Sequence, residues 1–185
     1  MSTQSPGGVL ENYFPLAIKT KRFLRPYLEA LYGNPVCFSF NSTLGTILAG
    51  LLERPYKTHK RKDLIQFRVF DKFDKDLIIY LPKSWLKEYK VGHSLSDHSI
   101  VAFNKFFENM FEEDLYKFCE LARSYKTETK LAIEDFCMRH HISIEEDITY
   151  DCLKQKEFRF RKEQQKVKNI PPHLSRQIFA MRKIV

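Results

Sequence analysis

Residues 96–122 read SDHSIVAFNKFFENMFEEDLYKFCELA. Val101, Phe103, Phe106, Phe107, Met110, Phe111, Leu115, Phe118, Cys119 and Ala122 recur in it at helical spacing, and Ser96 or Asp97 stands where a cap is needed. An apolar stripe this wide predicts a helix that is deeply buried or that also packs against a second subunit. The Phe-rich stretch 97–124 is therefore the expected homo-oligomer contact. Before residue 95 the apolar pattern is mixed, with short alternating runs between helical ones. After it, the period is helical throughout. That change of period assigns the chain to the α+β class, with a small N-terminal α+β lobe followed by a helical C-terminal lobe.

Working back from residue 96, Leu16-Ala-Ile18-Lys-Thr20-Lys-Arg22 alternates as a strand does. Leu24 to Tyr32 reads as a short helix stopped by Gly33-Asn34-Pro35, and Val36, Phe38 and Phe40 mark a second strand. A helix follows, capped by Ser42 or Thr43, with Leu44, Ile47, Leu48, Leu51 and Leu52 on one face. Its Gly45 and Gly50 cost about 1 kcal/mol each relative to Ala, and small residues there permit close packing against a sheet or a second copy. Residues 64–70 and 77–81 predict two strands, and the short polar connector 71–76 predicts an antiparallel hairpin between them. Residues 11–95 then form a lobe for assembly or scaffolding. Residues 1–10, polar and Gly-containing, are expected to be disordered.

The composition excludes a disordered chain, since 43% of the 185 residues are hydrophobic, 14% are aromatic and 16 are Phe. The length suits one sizeable domain or two small lobes. The longest mostly apolar stretch, residues 44–52, is far too short for a bilayer span, so no membrane is expected. The N-terminus shows no secretory pattern, and Cys37, Cys119, Cys137 and Cys152 lack paired spacing. Reduced core thiols and a cytoplasmic location follow as expectations (the host-cell cytoplasm if the chain is phage-encoded).

The net charge of +8 is unevenly distributed. From Leu153 onward ten Lys and Arg face only Glu157 and Glu163, so this segment holds the whole excess and the preceding residues balance to zero. A block of this kind is the footprint of a polyanion binder, or else a solvated basic tail.

Downstream of the Phe-rich helix, the helical lobe (96–170) continues with a helix over residues 129–141, with Ile133, Phe136 and Cys137 inward. The capped connector Ser143-Ile-Glu-Glu-Asp-Ile148 leads to a second helix over residues 149–166, and Pro171-Pro172 introduces a tail, 171–185. The pair 129–166 resembles the helix-turn-helix of small DNA-binding proteins of phages and mobile elements. The resemblance implies that the second helix enters the major groove while the first braces it. The turn position that commonly carries Gly is His141 here, and the connector is longer than usual.

Helix geometry adds an independent expectation. Leu153, Phe160 and Val167 form an inward seam, and the opposite face collects Lys154, Gln155, Phe158, Arg159, Lys162, Gln165 and Lys166, with Lys168 beyond. Lys and Arg can neutralise phosphates, and Gln155 and Arg159 are of the types that read adenine and guanine edges. Phe158 can meet a thymine methyl, stack on an unpaired base, or pack against the tail. A secondary basic patch, Lys57, Lys60, Arg61 and Lys62, is either a loop beside the DNA backbone or an ordinary solvated loop.

No catalytic, metal or cofactor motif is present. Cys137, His140 and His141 lie close together but lack the paired spacings of structural zinc. The run Glu145-Glu146-Asp147 is read as capping at a helix start rather than as a metal-dependent nuclease centre. The expected partner is nucleic acid, DNA before RNA, bound sequence-specifically or generally by a non-enzymatic protein, for instance a transcriptional regulator of a phage or mobile element. The alternative is a structural or assembly protein, for instance of a phage particle, whose basic tail meets a protein partner or packaged nucleic acid.

Overall fold

The computed structural model describes residues 12–39, 41–52, 72–88, 92 and 94–168. The chain is an α+β protein, with a three-stranded sheet and six helices among those residues. The order is β1 (Tyr13–Thr20), α1 (Leu24–Tyr32), β2 (Val36–Cys37), α2 (Thr43–Leu51), β3 (Lys75–Pro82), α3 (Ser84–Glu88), α4 (Asp97–Ser124), α5 (Thr129–Arg139) and α6 (Tyr150–Lys168).

Alternation along β1 buries Phe14, Leu16, Ile18 and Thr20 and turns Pro15, Ala17 and Lys19 outward. Along β3 the same rule buries Leu77, Ile79 and Leu81. The strands run in the order β1-β3-β2. β1 pairs antiparallel with β3 along its whole length, from Tyr13 opposite Pro82 to Thr20 opposite Lys75. β2 adds in parallel, Val36 opposite Ile79. Pro15 has no N–H to donate, and it falls in β1, which ends the described sheet. Residues 77–81 thus form the expected strand. The partner expected for it, residues 64–70, lies outside the described residues, as do residues 1–10 and the tail 171–185.

Three helix ends are set by a capping serine or a glycine. Ser42 caps α2 by accepting from the Gly45 N–H at 3.0 Å, and Ser96 caps α4 by accepting from the Ser99 N–H at 3.1 Å. Gly33, at φ +86°, closes α1 through its N–H to the Glu29 carbonyl. α3 went unforeseen, although its Trp85 is buried. Five residues are too few to carry a helical period.

The wide stripe of α4 is consumed inside the chain. Phe103, Phe107, Phe111, Leu115 and Cys119 are buried, and Phe106, Met110 and Phe118 pack on the same core. α1, α2 and β1 meet α4, and so do α5 and α6. One continuous cluster of buried side chains therefore runs from Phe14 to Leu153. The two sets of elements on either side of residue 95 share it. Phe111 touches Phe23 and Tyr27 from one side, at ring distances of 4.8 and 5.2 Å, and Phe136 from the other at 5.5 Å. The breadth of the stripe thus has an intrachain cause and gives no support to the oligomer expected through 97–124. Cys119 and Cys137 are buried free thiols, pushed up to about 11 by desolvation. Cys37, expected in the core, is exposed.

Candidate nucleic-acid interface

The connector of residues 140–149 positions α6. His141, at the position where Gly is usual, holds φ +54°. Its N–H bonds to the Met138 carbonyl and the Ile142 N–H to the Cys137 carbonyl, the paired bonds of a Schellman ending with Ile142 buried behind them. His141 thus adopts the left-handed conformation that a Gly at this position would take without strain. The acidic run then caps. The Glu145 carboxylate accepts from the Tyr150 N–H at 3.1 Å, Asp147 accepts from the Ser143 N–H at 2.9 Å, and Thr149 Oγ1 accepts from the Cys152 N–H. This occupies Glu145 and Asp147 with backbone. Among the described residues no group of three or more His, Cys, Asp or Glu is arranged to hold a metal.

α5 and α6 both pack principally on α4 rather than on each other, across ten connecting residues. The bracing that the resemblance assigned to α5 comes from α4. α6 docks by Leu153, fully buried, and by Phe160 against Tyr116 at 5.2 Å. Tyr150 and Cys152 pack on the same core, but the inward face also carries charged side chains, which the apolar seam did not foresee. Lys156 Nζ lies 2.5 Å from Glu108 and 2.6 Å from Glu112, and sits over the Phe23 ring. Glu108 also takes Lys21 at 2.7 Å. Burial alone would raise the Glu108 carboxyl, but hydrogen bonds from Lys156 and Lys21 prevail and hold it at about 2. Glu157, only 2% exposed, pairs with Arg123 of α4 at 2.7 Å and with Arg161 one turn on at 3.8 Å.

The cations of α6 are thereby sorted. Lys156 and Arg161 are neutralised by carboxylates. Lys154, Arg159, Lys162 and Lys166 are exposed and form no ion pair among the described residues. Gln155 and Gln165 share that outward face. Phe158, 44% exposed, lies between them with Lys162 Nζ 4.6 Å and the Arg161 guanidinium 5.5 Å from its ring centre. All seven residues expected outward are outward. Lys168 is in the helix, but its side chain, like that of Val167, lies outside what is described. So does the whole secondary patch Lys57, Lys60, Arg61 and Lys62.

Beside this face an open cleft of about 610 Å³ lies between the start of α5 and α6, lined by Thr129, Asp151, Lys154, Gln155, Glu157, Phe158 and Arg161. Thr129, Asp151 and Arg161 were not singled out from sequence, because which residues flank Phe158 depends on where α5 starts in space. A second cleft, of about 460 Å³, lies over Lys21, Phe23, Glu108 and Lys156. Its Lys21, Glu108 and Lys156 are committed to the ion network. Among the described residues no helix is long and apolar enough to cross a membrane. No family model, curated protein or solved structure matches the chain.

Proposed function

We propose that the chain is a non-enzymatic nucleic-acid-binding protein, with DNA as its first-choice ligand, and that the outward face of α6 meets the phosphates. The observation that carries this is the sorting of cations on one helix: those that turn inward have carboxylate partners, and those that turn outward have none. Four unpaired cations from Lys154 to Lys166 extend over about 18 Å of helix, roughly five nucleotides of one strand. Asp151 and Glu163 of the same helix are also exposed, but among the described residues neither forms an ion pair with these cations, unlike Glu113 with Lys117 on α4. The role of a transcriptional regulator requires, in addition, a preference for one site over random sequence.

The test is anisotropy of a labelled random DNA, duplex and single-stranded, titrated across salt. Tight binding is expected, with a steep negative log–log slope. Replacing Lys154, Arg159, Lys162 and Lys166 by Gln should lower the slope by about one unit per cation. An unchanged slope in the fourfold variant removes α6 from the interface.

A further inference from the structure

The proposed interface is not a uniformly convex helix face, and the cleft beside it differs from it in charge. Two carboxylates line it beside Lys154 and Arg161: Glu157, which is already held by Arg123 and Arg161, and the exposed Asp151. The unpaired Arg159, Lys162 and Lys166 lie on the helix outside it. A phosphate entering the cleft would meet the Asp151 carboxylate, whereas a neutral, flat group would not be repelled. The cleft offers such a group an aromatic wall, Phe158, and polar partners in the Gln155 amide, the Thr129 hydroxyl and the Asp151 carboxylate. The ring also carries two long, flexible cations, Arg161 and Lys162, on its own helix. An arriving π-face can displace either one toward the adjoining phosphate. Aromatic platforms flanked by cations are the way proteins hold bases that have left the stack.

We infer that the α5–α6 cleft receives an unpaired nucleobase stacked on Phe158, so that the preferred ligand is single-stranded nucleic acid. This rests on the nucleic-acid reading of α6 and specifies its ligand class. In an intact duplex each base face is covered by its neighbours, and Phe158 would have only groove edges to touch.

The experiment compares a labelled single strand of about 15 nucleotides with the same strand annealed to its complement, at one salt concentration. The wild type should bind the single strand more tightly. Phe158→Leu and Phe158→Ala should weaken single-strand binding about tenfold or more and duplex binding much less, and Phe158→Tyr should restore single-strand binding. Phe158→Trp supplies a second readout, because the one native tryptophan, Trp85, is buried. Its emission should be quenched by the single strand and not by the duplex. Single-strand binding that survives Phe158→Leu, or an equal loss on both polymers, overturns the base-stacking inference while leaving the α6 surface in place. Absence of binding to either polymer at low salt defeats the nucleic-acid reading itself, and this inference with it.

Discussion

Asn104 shows how much can depend on one polar residue in an apolar stripe. It is buried, and all of its hydrogen-bonding groups are used. Its Oδ1 accepts from the Lys21 N–H, and its Nδ2 donates to the carbonyls of Lys19 and Ile100. α4 is thereby fastened to the corner where β1 ends and α1 begins. Asn104→Ala leaves the Lys21 N–H and the Lys19 carbonyl without these partners, and should cost about 2–3 kcal/mol in denaturant unfolding. A cost below about 0.5 kcal/mol would mean water replaces the amide. The two glycines of α2 make an opposed pair. A Cβ on Gly45 would come within 1.9 Å of the Ser39 carbonyl oxygen, whereas one on Gly50 would meet nothing within 4 Å. Gly45→Ala should therefore destabilise by more than about 1 kcal/mol, and Gly50→Ala should stabilise by about 0.5–1 kcal/mol, read as opposite shifts in Tm.

The element whose attachment is least ordinary is α6. Its inward face mixes Leu153 and Phe160 with Lys156 and Glu157, so its docking depends on ion pairs as well as on apolar area. The Glu108 carboxyl titrates at about 2 in the folded chain, against 4.5 ordinarily. A depressed carboxylate stabilises the fold above its unfolded value and loses that contribution as pH falls from about 4.5 to about 2. Lys156 is lowered by its own burial but raised, on balance, by its hydrogen bonds to Glu108 and Glu112. It therefore stabilises below its ordinary value and loses the contribution only in strong alkali. Tm should hold through the neutral range and fall in acid. Glu108→Gln should lower Tm at pH 7, by an amount that shrinks as pH approaches 2. A deficit independent of pH would show that Glu108 is not held by its lysines.

At the scale of the whole molecule α4 is the shared wall, with α1, α2 and β1 against it as well as α5 and α6. Phe111, wedged between Phe23, Tyr27 and Phe136, joins both sets. Phe111→Ala should cost about 3–5 kcal/mol, with the two sets of elements unfolding together. Because the stripe is covered within the chain, the unfolding midpoint should not change with protein concentration. A midpoint that climbs with concentration would return the Phe-rich helix to a subunit interface.

Much of the local structure was legible in the sequence because its causes are local. Period-two alternation marked β1, and the apolar run 77–81 marked β3. Ser42 and Ser96 announced helix starts, Gly33 a stop, and helical spacing put Lys154, Phe158, Arg159 and Lys162 on one face of α6. The charge excess beyond Leu153 is likewise a property of the chain itself. What tertiary structure decided were the matters that depend on distant partners. Lys156 looks like any other cation of its helix until Glu108 and Glu112, more than forty positions earlier, are brought beside it. Glu157 looks solvated until Arg123 is brought to it, and Asn104 interrupts an apolar run until β1 ends beneath it. The outward face of α6 was written in its own periodicity, whereas the cleft beside Phe158 exists only because α4 holds α5 and α6 against one core.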